Sequence, residues 1–113
     1  MAIPASYDIN YYRGDTYEFW IDVKDNDGVD VDLSAYTAKF VIASARGASP
    51  SYSVNATASI DGSRILCTIT PAIGAALPID TALVYDVQVN SGTTNVYTYL
   101  TGNLYMTLDV ADA

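Results

Sequence analysis

An all-β sandwich is the fold this sequence predicts, and three observations predict it. Apolar and polar residues alternate with period two through almost the whole chain, in short runs rich in β-branched and aromatic residues. Turn-forming residues separate the runs, with Asp27-Gly28 and Asp61-Gly62 as strong hairpin signals and Ser91-Gly92 as a weaker one. At 113 residues the chain suits one packed core, so residues 1–113 are expected to form a single domain. Counting the runs gives about seven antiparallel strands, the number and spacing of an immunoglobulin-like sandwich, here without the cysteine pair of antibody domains.

The elements follow in order. Residues 1–11 are expected as an extended amino-terminal arm. Arg13-Gly14-Asp15 matches an adhesion tripeptide, but integrin recognition needs an exposed loop tip in a secreted protein; a turn entering a strand is the expectation. "TYEFWIDV" places Tyr17, Phe19, Ile21 and Val23 on the core face, with Glu18, Trp20 and Asp22 opposite. "YTAKFVIAS" points Ala38, Phe40 and Ile42 inward, and "ARGASPSYS" is read as a loop crossing between sheets. In "RILCTIT", Ile65, Cys67 and Ile69 share a face, and "TPAIGAALPID" is a connector with room for one helical turn between Pro71 and Pro78. "LVYDVQVN" buries Leu83, Tyr85, Val87 and Val89. The last run is too long for one ordinary strand, so Gly102 is expected to bend it or carry a bulge, and Leu104, Met106, Leu108 and Val110 to be buried beyond.

Composition excludes several functions. Thirteen acidic against five basic residues give a net charge of −8, which repels a phosphate backbone, so no nucleic-acid partner is expected. No apolar run nears the roughly 20 residues of a membrane span, and "MAIPASYDIN" lacks the pattern of a secretory signal; the expectation is a protein made in a cytoplasm, with no membrane partner. Histidine is absent, which removes imidazole-dependent triads and histidine-bearing zinc sites. Glu18 is the only glutamate, and no catalytic constellation emerges. The chain is expected to be no enzyme and to hold no cofactor or metal. "DVKDNDGVDVDLS" begins like a calcium loop but lacks the terminal glutamate and helical flanks; a solvated Asp-Gly hairpin explains the same residues. "NAT" at 55–57 fits a glycosylation sequon and, without a secretory signal, is read as chance.

Tyrosine is the informative excess, ten in all, several where alternation turns them outward. Tyrosine buries much area at low conformational cost and keeps a hydroxyl for rim hydrogen bonds, so it marks protein interfaces. Adjacent Tyr11 and Tyr12 cannot both face one core, Trp20 lies opposite the core face of its run, and Tyr97, Tyr99 and Tyr105 are assigned to one outer face. These six are the candidate interface residues. A sugar-stacking platform is the rival use of the same aromatics.

"YYRGDTYEFWIDVKDNDGVDVDLSAYTAKFVIAS" resembles a recurrent opening in structural proteins of tailed bacteriophages: a basic-Gly-Asp start, a strand, an Asp-Gly hairpin, Val-Asp-Leu-Ser and an alternating strand. "TITPAIGAALP" followed by "LVYDVQV" is similar to the later part of the same pattern. The resemblance, spanning about Tyr12 to Val110, is to the immunoglobulin-like amino-terminal domain of phage baseplate upper proteins. It implies a virion protein assembled in the host cytoplasm, whose partners are phage structural proteins and further copies of itself. A stand-alone sandwich of this kind suits a capsid decoration, or cement, protein on the major capsid protein. A tail or baseplate accessory is the alternative, and a glycan-binding module for host surfaces the third reading.

Overall fold

The computed structural model describes residues 5–24, 27–47, 50, 52–79, 82–90 and 96–107. The strands are β1 (Ala5–Ser6), β2 (Ile9–Tyr12), β3 (Tyr17–Asp22), β4 (Thr37–Ala43), β5 (Ser53–Asp61), β6 (Arg64–Ile69), β7 (Leu83–Asn90) and β8 (Val96–Thr107), with one helix, α1 (Pro71–Ala76), between β6 and β7. The chain is all-β, as its period-two pattern predicts. A hydrogen-bonded path runs β1-β8-β7-β4-β5-β6-β3, and β2 also pairs with β8.

Two layers arise because β5 serves both. Its first half, Ser53 to Ala56, pairs with β4, and its second half, Thr57 to Asp61, pairs with β6. The broad layer therefore holds β1, β2, β8, β7, β4 and the start of β5, and the narrow layer the rest of β5 with β6 and β3. The stretch expected to cross between sheets, residues 45–53, instead joins β4 to β5 within the broad layer, where Ala43 pairs with Ser53. Crossing inside a strand keeps the backbone hydrogen-bonded throughout, which a loop crossing does not.

Alternation is kept wherever strands pair on both sides. Leu83, Tyr85, Val87 and Val89 of β7 are all buried, as are Phe40 and Ile42 of β4 and Ile65, Cys67 and Ile69 of β6. Five aromatic rings link the layers in series. Tyr11 meets Tyr17 at 6.5 Å, Tyr17 meets Phe19 at 5.9 Å, and Phe19 and Tyr85 each meet Phe40 at 5.6 Å. Three of these four contacts are near-perpendicular, the edge-to-face arrangement that ring quadrupoles favour.

Three local expectations are corrected. Residues 5–11 are no arm: β1 and β2 pair parallel with β8, and Ile9 and Tyr11 are buried, so not every strand is antiparallel. The β5–β6 turn is centred on Gly62-Ser63, because Asp61 pairs with Arg64; Gly62 takes φ 66° at the first central position, where a Cβ would be strained. The bulge in β8 falls at Tyr99, since Val87 lies level with Leu100 and Gln88 with Thr98. Gly102 has another role. A Cβ there would overlap the Tyr7 carbonyl where the β1–β2 joint crosses β8, so glycine permits close backbone approach. Asp27-Gly28 does form its turn, closed by the Lys24–Asp30 bridge. Ser91-Gly92, Leu108 and Val110 lie outside the described residues.

The helical turn expected after β6 is present. Thr70 caps it, its hydroxyl accepting from the Ile73 amide at 3.3 Å, and Pro71 sits at the first helical position where no amide partner is needed. Gly102→Ala is expected to destabilise the protein by about 1–3 kcal/mol through overpacking against the Tyr7 backbone. Urea unfolding checks the loss, and amide exchange should quicken first in β1 and β2.

Candidate protein interface

The six aromatic candidates separate into four environments. Tyr11 is a correction: its ring is buried against Gly74, its hydroxyl donates to the Asp15 carbonyl at 2.8 Å and accepts from the Gly14 amide at 3.1 Å. Burial pushes that hydroxyl above its ordinary pKa. It holds the Arg13-Gly14-Asp15 turn from inside, while the Arg13 guanidinium donates to the Ala75 carbonyl at 2.9 Å. The adhesion tripeptide is thus a turn locked onto α1.

Tyr97, Tyr99 and Tyr105 do not share a face, because the bulge at Tyr99 adds one residue and inverts the alternation around it. Tyr97 lies level with inward-facing Val89, and Tyr97 and Tyr99 are half-buried against the core with rings 6.4 Å apart. Burial raises the Tyr99 hydroxyl pKa. Beyond the bulge, even-numbered residues turn inward and Tyr105 turns out.

Tyr12 and Tyr105 are what remain on the broad layer's outer face, 59% and 54% exposed. Asn10 lies level with Tyr105, and Tyr12 with Thr107, so the two tyrosines are diagonal neighbours on adjacent parallel strands. Asn103 completes the patch. Asp8 is turned to its service, accepting from the Asn103 amide at 3.1 Å and side chain at 3.4 Å. The patch is aromatic, built on paired strands, and carries one carboxylate, Asp8, at its margin. Five acids gather at the other end of the sandwich: Asp22 ends β3, Asp27, Asp30 and Asp32 lie on the β3–β4 connection, and Asp61 ends β5, with the Leu33 amide donating to the Gly62 carbonyl of the β5–β6 turn at 3.0 Å. Asp30 is paired with Lys24, and Asp32 accepts from the Ser34 amide, which holds its carboxyl below the ordinary value. Among the described residues, no three acids or cysteines gather as a metal site.

Trp20 stands apart on the narrow layer's outer face, 47% exposed, with the Arg64 guanidinium 3.8 Å from its ring centroid. Tyr7, 51% exposed at the β1–β2 joint, is a further outward aromatic, hidden in the sequence by the expectation of an extended arm over residues 1–11. Regular strand spacing to Ile9 and Tyr11 is the feature that marks it. On the broad layer a groove of about 270 Å³ is lined by Val41, Arg46, Pro50 and Asp86 among others. Its charges satisfy one another: Asp86 accepts from Arg46 at 2.8 Å and from Thr101 at 2.7 Å, and Arg46 also donates to the Gly102 carbonyl at 3.2 Å.

No family model matches the chain, and no curated protein matches it. Geometry and charge therefore carry the functional reading.

Two outcomes test these placements. Tyr11→Ala should cost about 3–5 kcal/mol, as for a deleted core aromatic, while Tyr12→Ala and Tyr105→Ala should each stay within about 0.5 kcal/mol in urea unfolding. Burial pushes the Cys67 thiol from 9.0 up to about 12, and burial with a Tyr7 hydrogen bond pushes the Tyr17 hydroxyl from 10.0 to about 12. Folding therefore favours the protonated forms. That stability is intact below pH 9 and lost as pH rises through 12. Melting temperature should fall across this window, Cys67→Val should remove the part beginning near pH 9, and a disulfide reagent at pH 8 should label the thiol only after unfolding.

Proposed function

We propose that this protein is a non-enzymatic structural component of a tailed-bacteriophage virion, acting first as a capsid decoration protein on the major capsid protein. The single observation that carries an assembly role is the Tyr12–Tyr105 patch: two exposed tyrosines mounted on paired strands, with Asp8 the one carboxylate bonded at its margin, in a chain whose net charge is −8. Interfaces are depleted of charge at their centre and enriched in tyrosine. With five acids gathered at the opposite end, this face can approach a neighbour while the charged end helps keep unassembled copies apart.

The strand order supports the immunoglobulin-like part of the resemblance. β3, β6 and the end of β5 stand as one layer of such a sandwich, and β4, β7 and β8 as the core of the other. Virion placement itself rests on the sequence resemblance. Many copies, each contributing modest area and arranged by the shell's symmetry, would together resist internal pressure. The glycan-binding reading needs open aromatic faces, and Arg64 already covers one face of Trp20.

Quantitative mass spectrometry of purified virions tests the proposal. Copy number near that of the major capsid protein supports decoration, a small fraction of it moves the protein to the tail or baseplate, and absence from particles overturns the virion reading. Tyr12→Ala with Tyr105→Ala should weaken particle binding at least about tenfold, the loss expected of interface anchors.

A further inference from the structure

The narrow layer ends in an edge to which no strand is paired among the described residues, although the Tyr7 side chain reaches the Tyr17 hydroxyl at one end of it. β3 pairs with β6 on one side only, and β1 pairs only with β8, so both edges face a groove of about 400 Å³ lined by Ser6, Tyr7, Phe19, Trp20, Ile21 and Leu100. The inward residues of β3 feel the gap. Tyr17, Phe19 and Ile21 are each only half-buried, whereas every inward residue of central strand β7 is buried. Edge strands are usually blunted by proline, lysine or a bulge; β3 has none of these in "YEFWID".

Charge identifies what fits. Glu18 and Asp22 lie four residues apart on the exposed side of β3, with Trp20 between them. Glu18 accepts from the Thr68 hydroxyl at 3.4 Å, and Asp22 lies 3.9 Å from Arg64 with Lys24 acting on it electrostatically, on a side of the strand that is exposed. A second copy is a poor occupant: two antiparallel β3 strands related by a two-fold axis through Trp20 would set Glu18 against Asp22 of the other copy, and like charges directly opposite are destabilising. We propose that the β3 edge accepts an extended protein segment in which aliphatic residues alternate with polar ones and lysine or arginine recurs four residues apart. Added as a strand, such a segment sends its aliphatic side chains into the groove against Phe19, Ile21 and Leu100. Its basic residues lie beside Glu18 and Asp22, and backbone hydrogen bonds complete the edge. The site is separate from the Tyr12–Tyr105 patch and stands without the virion reading.

The probe is a blocked heptapeptide, acetyl-SKVTVKS-amide, compared with its counterpart carrying glutamate for both lysines. Trp20, the only tryptophan, reports binding by fluorescence, and amide exchange locates it. The lysine peptide should shift Trp20 emission saturably and slow exchange in residues 17–22 at least tenfold, and the glutamate peptide should do neither. In the full-length E18K/D22K variant, whose changes are on exposed positions, the preference should reverse. Equal response to both peptides, or protection confined to other strands, overturns the inference. So does protection of β3 that grows with protein concentration alone, which would assign the edge to a second copy. Binding that appears only after residues 1–4 are deleted would likewise overturn it by assigning the edge to the chain itself.

Discussion

The two layers are held by a row of aromatic rings, Tyr11, Tyr17, Phe19, Phe40 and Tyr85, and most other features follow from where that row lies. The single cysteine permits no intrachain cross-link, so interior contacts must fix the spacing of the layers. Each edge-to-face pair adds about 0.5–1.5 kcal/mol beyond its buried area, and the row joins β2, β3, β4 and β7 in one chain of contacts. Tyrosine in this row brings hydroxyls that need partners. Tyr85 finds one in the Tyr7 carbonyl and Tyr11 in the Asp15 carbonyl, so the same residues that fill the core anchor the β1–β2 joint and the turn into β3.

That arrangement limits what is left for recognition. Seven tyrosines and two phenylalanines are spent on the interior or its margin, and the outward aromatics are few and placed on different surfaces. Tyr12 and Tyr105 lie on the broad layer beside Asn103 and its Asp8 partner, and Trp20 lies beside acids and Arg64 on the narrow one. The two surfaces therefore suit different neighbours. An exposed tyrosine patch favours a well-packed contact, while an acidic open edge favours backbone pairing with a basic strand.

Sequence alternation made most of the core legible. Phe40, Ile42, Ile65, Cys67, Ile69 and the four inward residues of β7 are all where period two places them, because strands paired on both sides cannot shift register without exposing their apolar set. Legibility failed at single residues that alter the count. The extra residue at Tyr99 inverted the faces assigned along β8, and no residue type at that position announces a bulge. Tyr11 looked like an interface residue because it neighbours Tyr12, and only the docking of α1 against β2 shows which of the two is inside.

By itself the sequence determined an all-β chain, the inward faces of its central strands, the helical turn after Thr70 and the absence of a disulfide. These depend on local periodicity, turn chemistry and composition, which each segment carries alone. Tertiary structure decided that β5 passes from one layer to the other, that β1 and β2 run parallel to β8, and that the edges of β1 and β3 face an open groove. Strand pairing joins residues distant in the chain, and its partner choice depends on how all the faces close together, which no single segment encodes.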